Sequence, residues 1–341
     1  NEAVGVGGMV VADNELASEI GAQVLREGGD AADAAVATAL ALGVLQPFAS
    51  GIGGGGFAVI SRGEVSYALD FREVAPLAAT ADMYLDQEGN PIKGLSTVGA
   101  LAAGVPGEVA GLAELHKRHG KLPWHRLVDP ALKLASDGFE MHALLYKRVK
   151  SSISRVKLSP TLSESLLNEG EPKSLGSIIK FPALARTLKQ IALQGANGFY
   201  RGEVATELER SVKAAGGIIT AKDLNDYKVK ERAVISGDYR GYTLLSMPPP
   251  SSGGLVIIQA LRALEAILGS RDPSVLGRES GVYLHALTET LKHGFADRAN
   301  YMGDPDYTPI PVDKLLNEKR IMEIKSKFNA NHTLARSMYG A

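Results

Sequence analysis

A chain of 341 residues can bury a core large enough to fold without disulfide or metal staples. Its 37 Lys and Arg against 38 Asp and Glu leave a formal net charge of -1, which gives no electrostatic footprint for nucleic acid or an anionic membrane. The absence of cysteine excludes thiolate catalysis, Cys-ligated zinc, iron–sulfur clusters and disulfides together.

In chain order, Val4 to Ala12 (VGVGGMVVA) predicts a buried strand, because β-branched residues recur among glycines. Leu16, Ile20 and Val24 recur every four residues, which predicts a helix stopped by Gly28-Gly29. Asp30 caps a second helix, with Asp33 adding favourable charge near its N-terminus. This helix is small and apolar almost all round, so it is expected to be enclosed, and it ends before Pro47. Ala34 to Leu45 is also the longest apolar run, shorter than the roughly 20 residues that span a bilayer, so no membrane span is expected. Since the chain starts at Asn1 with neither a basic nor an apolar leader, removal of a signal peptide or trimming is expected.

The stretch SGIGGGGFAVI contains Gly51, Gly53 and Gly56 at the spacing of a dinucleotide fingerprint, with Asp70 where a ribose needs an acid. A dinucleotide loop runs from a strand into a helix whose N-terminus holds the pyrophosphate. Here the glycines follow a helix and enter FAVIS, a turn at Arg62-Gly63 and EVSYALDF, which is a hairpin pattern. The run therefore predicts a close backbone approach, not a phosphate cradle.

Further helices are predicted from Leu101 to His119, on Val105, Val109, Leu112 and Leu115, from Trp124 to Asp137, Pro182 to Gln194 and Val204 to Ala214. Tyr146 to Lys180 is charged and serine-rich and predicts a surface excursion. Thr220 and Asp223 stand at capping-box spacing before a short helix. A strand, a break at Pro248 to Pro250, a long helix from Leu255 and another over Val282 to Asn300 complete an α+β pattern. With neither repeat nor linker, a single domain over 1–341 is expected.

Most chemical motifs are missing. There is no H-E-x-x-H, and His116 and His119 read as a solvated helix end, so no metal and no cofactor is expected. G-x-S-x-G is absent, and the S-x-x-K matches at Ser154 and Ser177 lack their partner motifs. Ser251 to Gly254 offers either an anion-binding turn or a plain helix cap. Arg72 in LDFREVAP stands at a strand end beside the glycine turn, placed either for bidentate capture of a carboxylate or for a salt bridge with Asp70 or Glu73.

Taken together, ELASEIGAQVLREGGDAADAAVATALALGV, SGIGGGGFAVI, LDFREVAP, GVPGEVAGL, VKERAVISGDYRGY, MPPPSSGG and FADRANYMGDPDY resemble the large subunit of γ-glutamyltranspeptidases, also called glutathione hydrolases. The resemblance runs in order over nearly the whole chain. It implies an N-terminal nucleophile hydrolase, a four-layer αββα sandwich whose precursor cuts itself before a threonine. That threonine heads a small subunit and attacks the γ-glutamyl amide. Implied partners are this small subunit, a glutathione-like donor and an amino-acid or water acceptor, in the periplasm or outside the cell. The matching FRE segment makes Arg72 the ligand of the γ-glutamyl α-carboxylate. Thr333 is present near the tail, but no nucleophile-bearing segment follows it, so this chain alone is expected to be inactive. A cephalosporin or glutaryl acylase, a poly-γ-glutamate depolymerase and a non-catalytic binding homologue are the alternatives.

Overall fold

The computed structural model describes residues 4–269, 277 and 280–340, and they group into two compact units. The first comprises residues up to Gly56 and Phe71–Val229; the second comprises Phe57–Asp70 and Lys230 onward.

The first unit is built on α1 (Glu15–Arg26) and α2 (Ala31–Leu45). Asn14 caps α1 through its side chain, and Gly28 takes φ +92° just past its end, the left-handed turn only glycine adopts cheaply. The helices cross so closely that a β-carbon on Gly21 would stand 2.2 Å from Thr38 Oγ1. Asp33 does more than add charge. Its carboxylate closes a capping box with Asp30 and also accepts from the backbone N–H groups of Lys121 and Leu122, at 3.0 and 3.3 Å. The expected enclosure of α2 holds, with Val36, Ala37, Leu40, Ala41 and Val44 all buried.

Around α2 pack α3 (Glu108–His119) and α4 (Trp124–Asp137), and the helix Pro182–Gln194 packs on α4. The helix expected from Leu101 starts at Glu108 instead: Pro106 lies between Gly104 and Gly107, and Val105 pairs with Val74 as an isolated antiparallel bridge. His116 is not a solvated end group either, since its Nε2 lies 2.8 Å from the Leu122 carbonyl and its ring meets Trp124 at 5.3 Å. The region read as a surface excursion folds into short helices and two-residue strands that bury Leu145, Val149, Val156, Leu166 and Ile179. Its charged residues face outward around these anchors. The first unit ends with Gly202–Ala214 and a short helix, Ala221–Asp226, capped by the Thr220–Asp223 box.

The second unit holds β1 (Gly56–Arg62) and β2 (Val65–Phe71) except for their end residues Gly56 and Phe71, and these strands form a sheet with the strand Lys230–Arg232, in the order β1, β2, Lys230–Arg232. The two-residue turn between β1 and β2 uses Gly63 at φ +61°. Ala68 pairs with Arg232 and Asp70 with Lys230, antiparallel. Arg232 Nε donates to Asp70 Oδ2 at 2.7 Å and its NH2 to Asp306 at 2.9 Å, while Lys230 also pairs with Asp306. The guanidinium of Arg232 holds the Asp306 carboxyl down at about 2. A second hairpin, Ile235–Tyr239 with Tyr242–Ser246, packs on the helix Gly253–Leu268, which in turn packs on Gly281–Tyr301. Ser252 sits at the N-cap of Gly253–Leu268 without a capping hydrogen bond; its hydroxyl accepts from Arg298 Nε at 2.9 Å.

One expected strand does not form. Val4, Val6, Met9 and Val11 are exposed, and the segment pairs with no strand among the described residues. β-branched residues favour an extended chain, but a ladder partner is needed to make a strand.

Candidate functional site

The site is built where three glycines from two motifs of the first unit, SGIGGGG and GVPGEVAGL, surround the chain from Phe71 to Glu73. A β-carbon on Gly55 would lie 2.4 Å from the Phe71 carbonyl oxygen and 2.9 Å from Glu73 N; one on Gly107 would lie 2.0 Å from the same carbonyl; one on Gly111 would enter the Phe71 ring at 2.1 Å. No side chain fits at any of the three. The Gly54 carbonyl accepts from the Gly107 and Glu108 N–H groups, at 2.8 and 3.0 Å, and so ties the glycine loop to the start of α3. The glycine run is framework that clamps a strand end, which is the close approach expected of it.

Arg72 emerges from this clamp. Its carbonyl accepts from Tyr227 OH at 2.8 Å, and the Tyr227 ring stacks on Tyr200, centroids 5.8 Å apart and planes within 11°. Tyr200 OH in turn donates to the Pro106 carbonyl at 2.8 Å. Burial raises the Tyr200 hydroxyl above its ordinary range, so it stays a neutral donor. The backbone of Arg72 is thus held from both sides while the residue itself is exposed. A guanidinium on a fixed strand end loses less freedom on binding a carboxylate than one on a loose loop.

The next residue, Glu73, lines a cavity of about 540 Å³ together with Phe48, the glycines Gly51 and Gly53–Gly55, and a second carboxylate, Glu108; Arg72 itself is not among its lining residues. Burial pushes the Glu108 carboxyl up to about 7, and the neighbouring Glu73 adds to the rise. A carboxyl titrating there is half protonated near neutrality and can donate or accept a hydrogen bond. Glu108 was missed in the sequence because a glutamate in the first turn of a helix reads as dipole compensation.

A second polar group was also missed. Glu289, His293 and Asp297 recur every four residues along Gly281–Tyr301 and are 3%, 1% and 0% exposed. Arg320, equally buried, donates to Asp297 through Nε and NH2 at 3.1 and 3.2 Å and lies 3.4 Å from His293 Nδ1. Gln259 Nε2 also donates to Asp297, at 2.8 Å. The signal in TETLKHGFADRAN was the period itself, since a polar stripe at i, i+4 and i+8 lies on one helix face.

With this geometry in place, comparison with known proteins is decisive. A family model described as Gamma-glutamyltranspeptidase matches residues 17–341. The chain belongs to the gamma-glutamyltranspeptidase family. Glutathione hydrolase 2 of Arabidopsis thaliana is 46% identical over 339 residues, covering 98% of this chain. The glutathione hydrolase proenzyme of Pseudomonas sp. (strain A14) is 43% identical over 325 residues, covering 94%. The chain spans 56% of the length of each of these curated relatives and corresponds to the large-subunit portion of gamma-glutamyltranspeptidases. Among solved structures, the gamma-glutamyltranspeptidase of Helicobacter pylori superposes with a TM-score of 0.94 at 41% identity, covering 99% of this chain and 97% of that one. The fold is accordingly the mixed α/β fold of this family.

Proposed function

We propose that this chain is the large subunit of a γ-glutamyl acyltransferase and glutathione hydrolase, and that Arg72 holds the α-carboxylate of the donor. The observation that carries the reading is Arg72, exposed and fixed at its backbone between Gly55 and Tyr227, one residue before Glu73, which lines the glycine-walled cavity. A guanidinium presented in this way suits a ligand with a free carboxylate, bound by two parallel hydrogen bonds. In the proposed reaction the hydroxyl of an N-terminal threonine on the small subunit attacks the γ-glutamyl amide carbon. The Thr hydroxyl proton passes to its own amine or a water, the amide Cδ–N bond of the donor breaks, and the amine of the donor leaves carrying that proton. Water or an amino acid then takes the glutamyl group from the threonine ester. The two chains together form the αββα sandwich of an N-terminal nucleophile hydrolase, periplasmic or secreted, and this chain alone is inactive.

The test is mass and N-terminal sequencing of everything that copurifies with the chain, followed by assay of the two-chain product. A second chain beginning with Thr, and turnover of a γ-glutamyl anilide in preference to a glutaryl amide or a long γ-linked glutamate polymer, are the expected results. A single inert species of about 36 kDa would support a binding homologue and overturn the proposal. Preference for the glutaryl amide would reassign the chain to the acylases, and preference for the polymer to the depolymerases.

A further inference from the structure

The buried carboxylate of Glu289 is the anchor of an otherwise exposed segment. Glu289 Oε1 accepts from Thr333 Oγ1 at 2.7 Å and from Lys292 Nζ at 2.7 Å; Oε2 accepts from Tyr339 OH at 2.6 Å and faces Leu334 N at 3.5 Å. One turn along the same helix, His293 Nδ1 accepts from Gly340 N at 3.3 Å and its ring meets Tyr339 edge-on at 5.0 Å. Residues 331–338 are exposed except for Leu334, and their regular structure is the short turn Arg336–Met338. Such a segment gains little from burial, so its order rests on these polar contacts.

Thr333 is not set up as a nucleophile here. Its hydroxyl donates to Glu289, and Glu289 also raises Lys292, the neighbouring amine, which therefore stays protonated and cannot serve as a base. The arrangement fastens; it does not activate.

We propose that Glu289 is a positioning residue for maturation: it pins the 333–340 segment to the Gly281–Tyr301 helix so that the chain leading to the processing point of the precursor starts from a fixed place. The proposal rests on the reading of this chain as part of a self-cleaving precursor. Self-cleavage requires the attacking hydroxyl and the scissile carbonyl to meet in a near-attack geometry, and a loose approach segment dilutes that geometry.

The experiment uses the precursor that carries this chain together with the small-subunit segment. Glu289→Gln, and separately the pair Thr333→Val and Tyr339→Phe, are compared with the unaltered precursor by cleavage rate on gels, by hydrogen exchange over residues 329–340, and by kcat/KM of the matured fraction. Both alterations are expected to slow cleavage about tenfold or more, to raise exchange in that peptide, and to leave kcat/KM of the matured enzyme unchanged. Combining them is expected to slow cleavage no further than either alone, because both cut the same link. Cleavage at the unaltered rate in Glu289→Gln, or a parallel fall in kcat/KM and melting temperature that marks a general structural role, overturns the proposal. If Glu289→Gln does not fold, the Thr333 and Tyr339 pair decides by the same criteria. An unaltered precursor that never cleaves, yet protects residues 329–340 from exchange, would refute the maturation reading itself and this role with it, a result distinct from rapid cleavage in the variant.

Discussion

Gly55 and the Phe71 carbonyl are in such close contact that the smallest side chain on the glycine would be driven to within 2.4 Å of the oxygen. The contact joins the glycine run to the strand end that presents Arg72. Gly55→Ala must therefore move either the loop or the Phe71–Glu73 backbone, because the obstructing atoms are main chain and not a flexible side chain. The expected cost is about 1–3 kcal/mol of stability by analogy with overpacked cores. In the two-chain enzyme it is accompanied by a raised KM for γ-glutamyl donors. Thermal melting and steady-state kinetics check both; an alanine variant with unchanged melting temperature and KM would show that the loop is looser than this contact implies.

Arg72→Ala removes the guanidinium and leaves the clamp. It is expected to raise KM for a γ-glutamyl anilide by about two orders of magnitude, in line with loss of a charge-assisted pair. Self-cleavage of the precursor is expected to proceed normally, because the guanidinium has no part in it. Arg72→Lys restores charge but not the two-pronged geometry, so only part of the loss returns. Kinetics on the matured variants are the measurement, and an unchanged KM would remove Arg72 from the site.

Much of this architecture is legible in the amino-acid sequence. The α2 helix, its cap and its stop followed from Asp30, the alanine-rich face and Pro47, since each is a local effect acting over one or two turns. The hairpin of β1 and β2 followed from alternation and Gly63. The order of elements also excluded a phosphate loop. Non-local features were hidden. Nothing in GVPGEVAGL says that Gly107 and Gly111 make room for Phe71, and the helix start at Glu108 depends on a bridge between Val105 and Val74. The N-terminal apolar segment misled for the same reason: strand formation depends on a partner, which residues 4–12 do not have among the described residues.

Glu108 gives a pH signature. Its carboxyl is raised by burial and by Glu73 from an ordinary 4.5 to about 7, so between these values the folded chain binds more protons than the unfolded one. Stability from this group is full below about 4.5 and is lost as pH rises through 7. Glu108→Gln mimics the protonated form at every pH. The variant is expected to match the parent near pH 4.5 and to exceed it above pH 7 by on the order of 1–3 kcal/mol. Urea unfolding across that range is the check, and a variant that is less stable at pH 8 would show that the ionised carboxylate is compensated.

His293 carries the opposite sign. Burial, with the nearby Arg320 guanidinium, lowers its imidazole from 6.5 to about 4, against smaller opposing effects of Asp297 and Glu323. In that window the unfolded chain takes up a proton that the folded chain refuses, so the stability due to neutral His293 is complete above 6.5 and drains away as pH falls toward 4. A neutral ring is also what the structure needs, since Nδ1 accepts from the Gly340 N–H and an imidazolium has no lone pair to offer there. His293→Gln keeps a polar group of similar reach but does not titrate. Its unfolding free energy is expected to change less than that of the parent between pH 6.5 and 4, even if the variant is weaker at neutral pH. Denaturant titrations at half-unit intervals measure the slope. Equal slopes in parent and variant would mean that acid destabilisation comes from elsewhere, and that His293 accepts its proton at little cost.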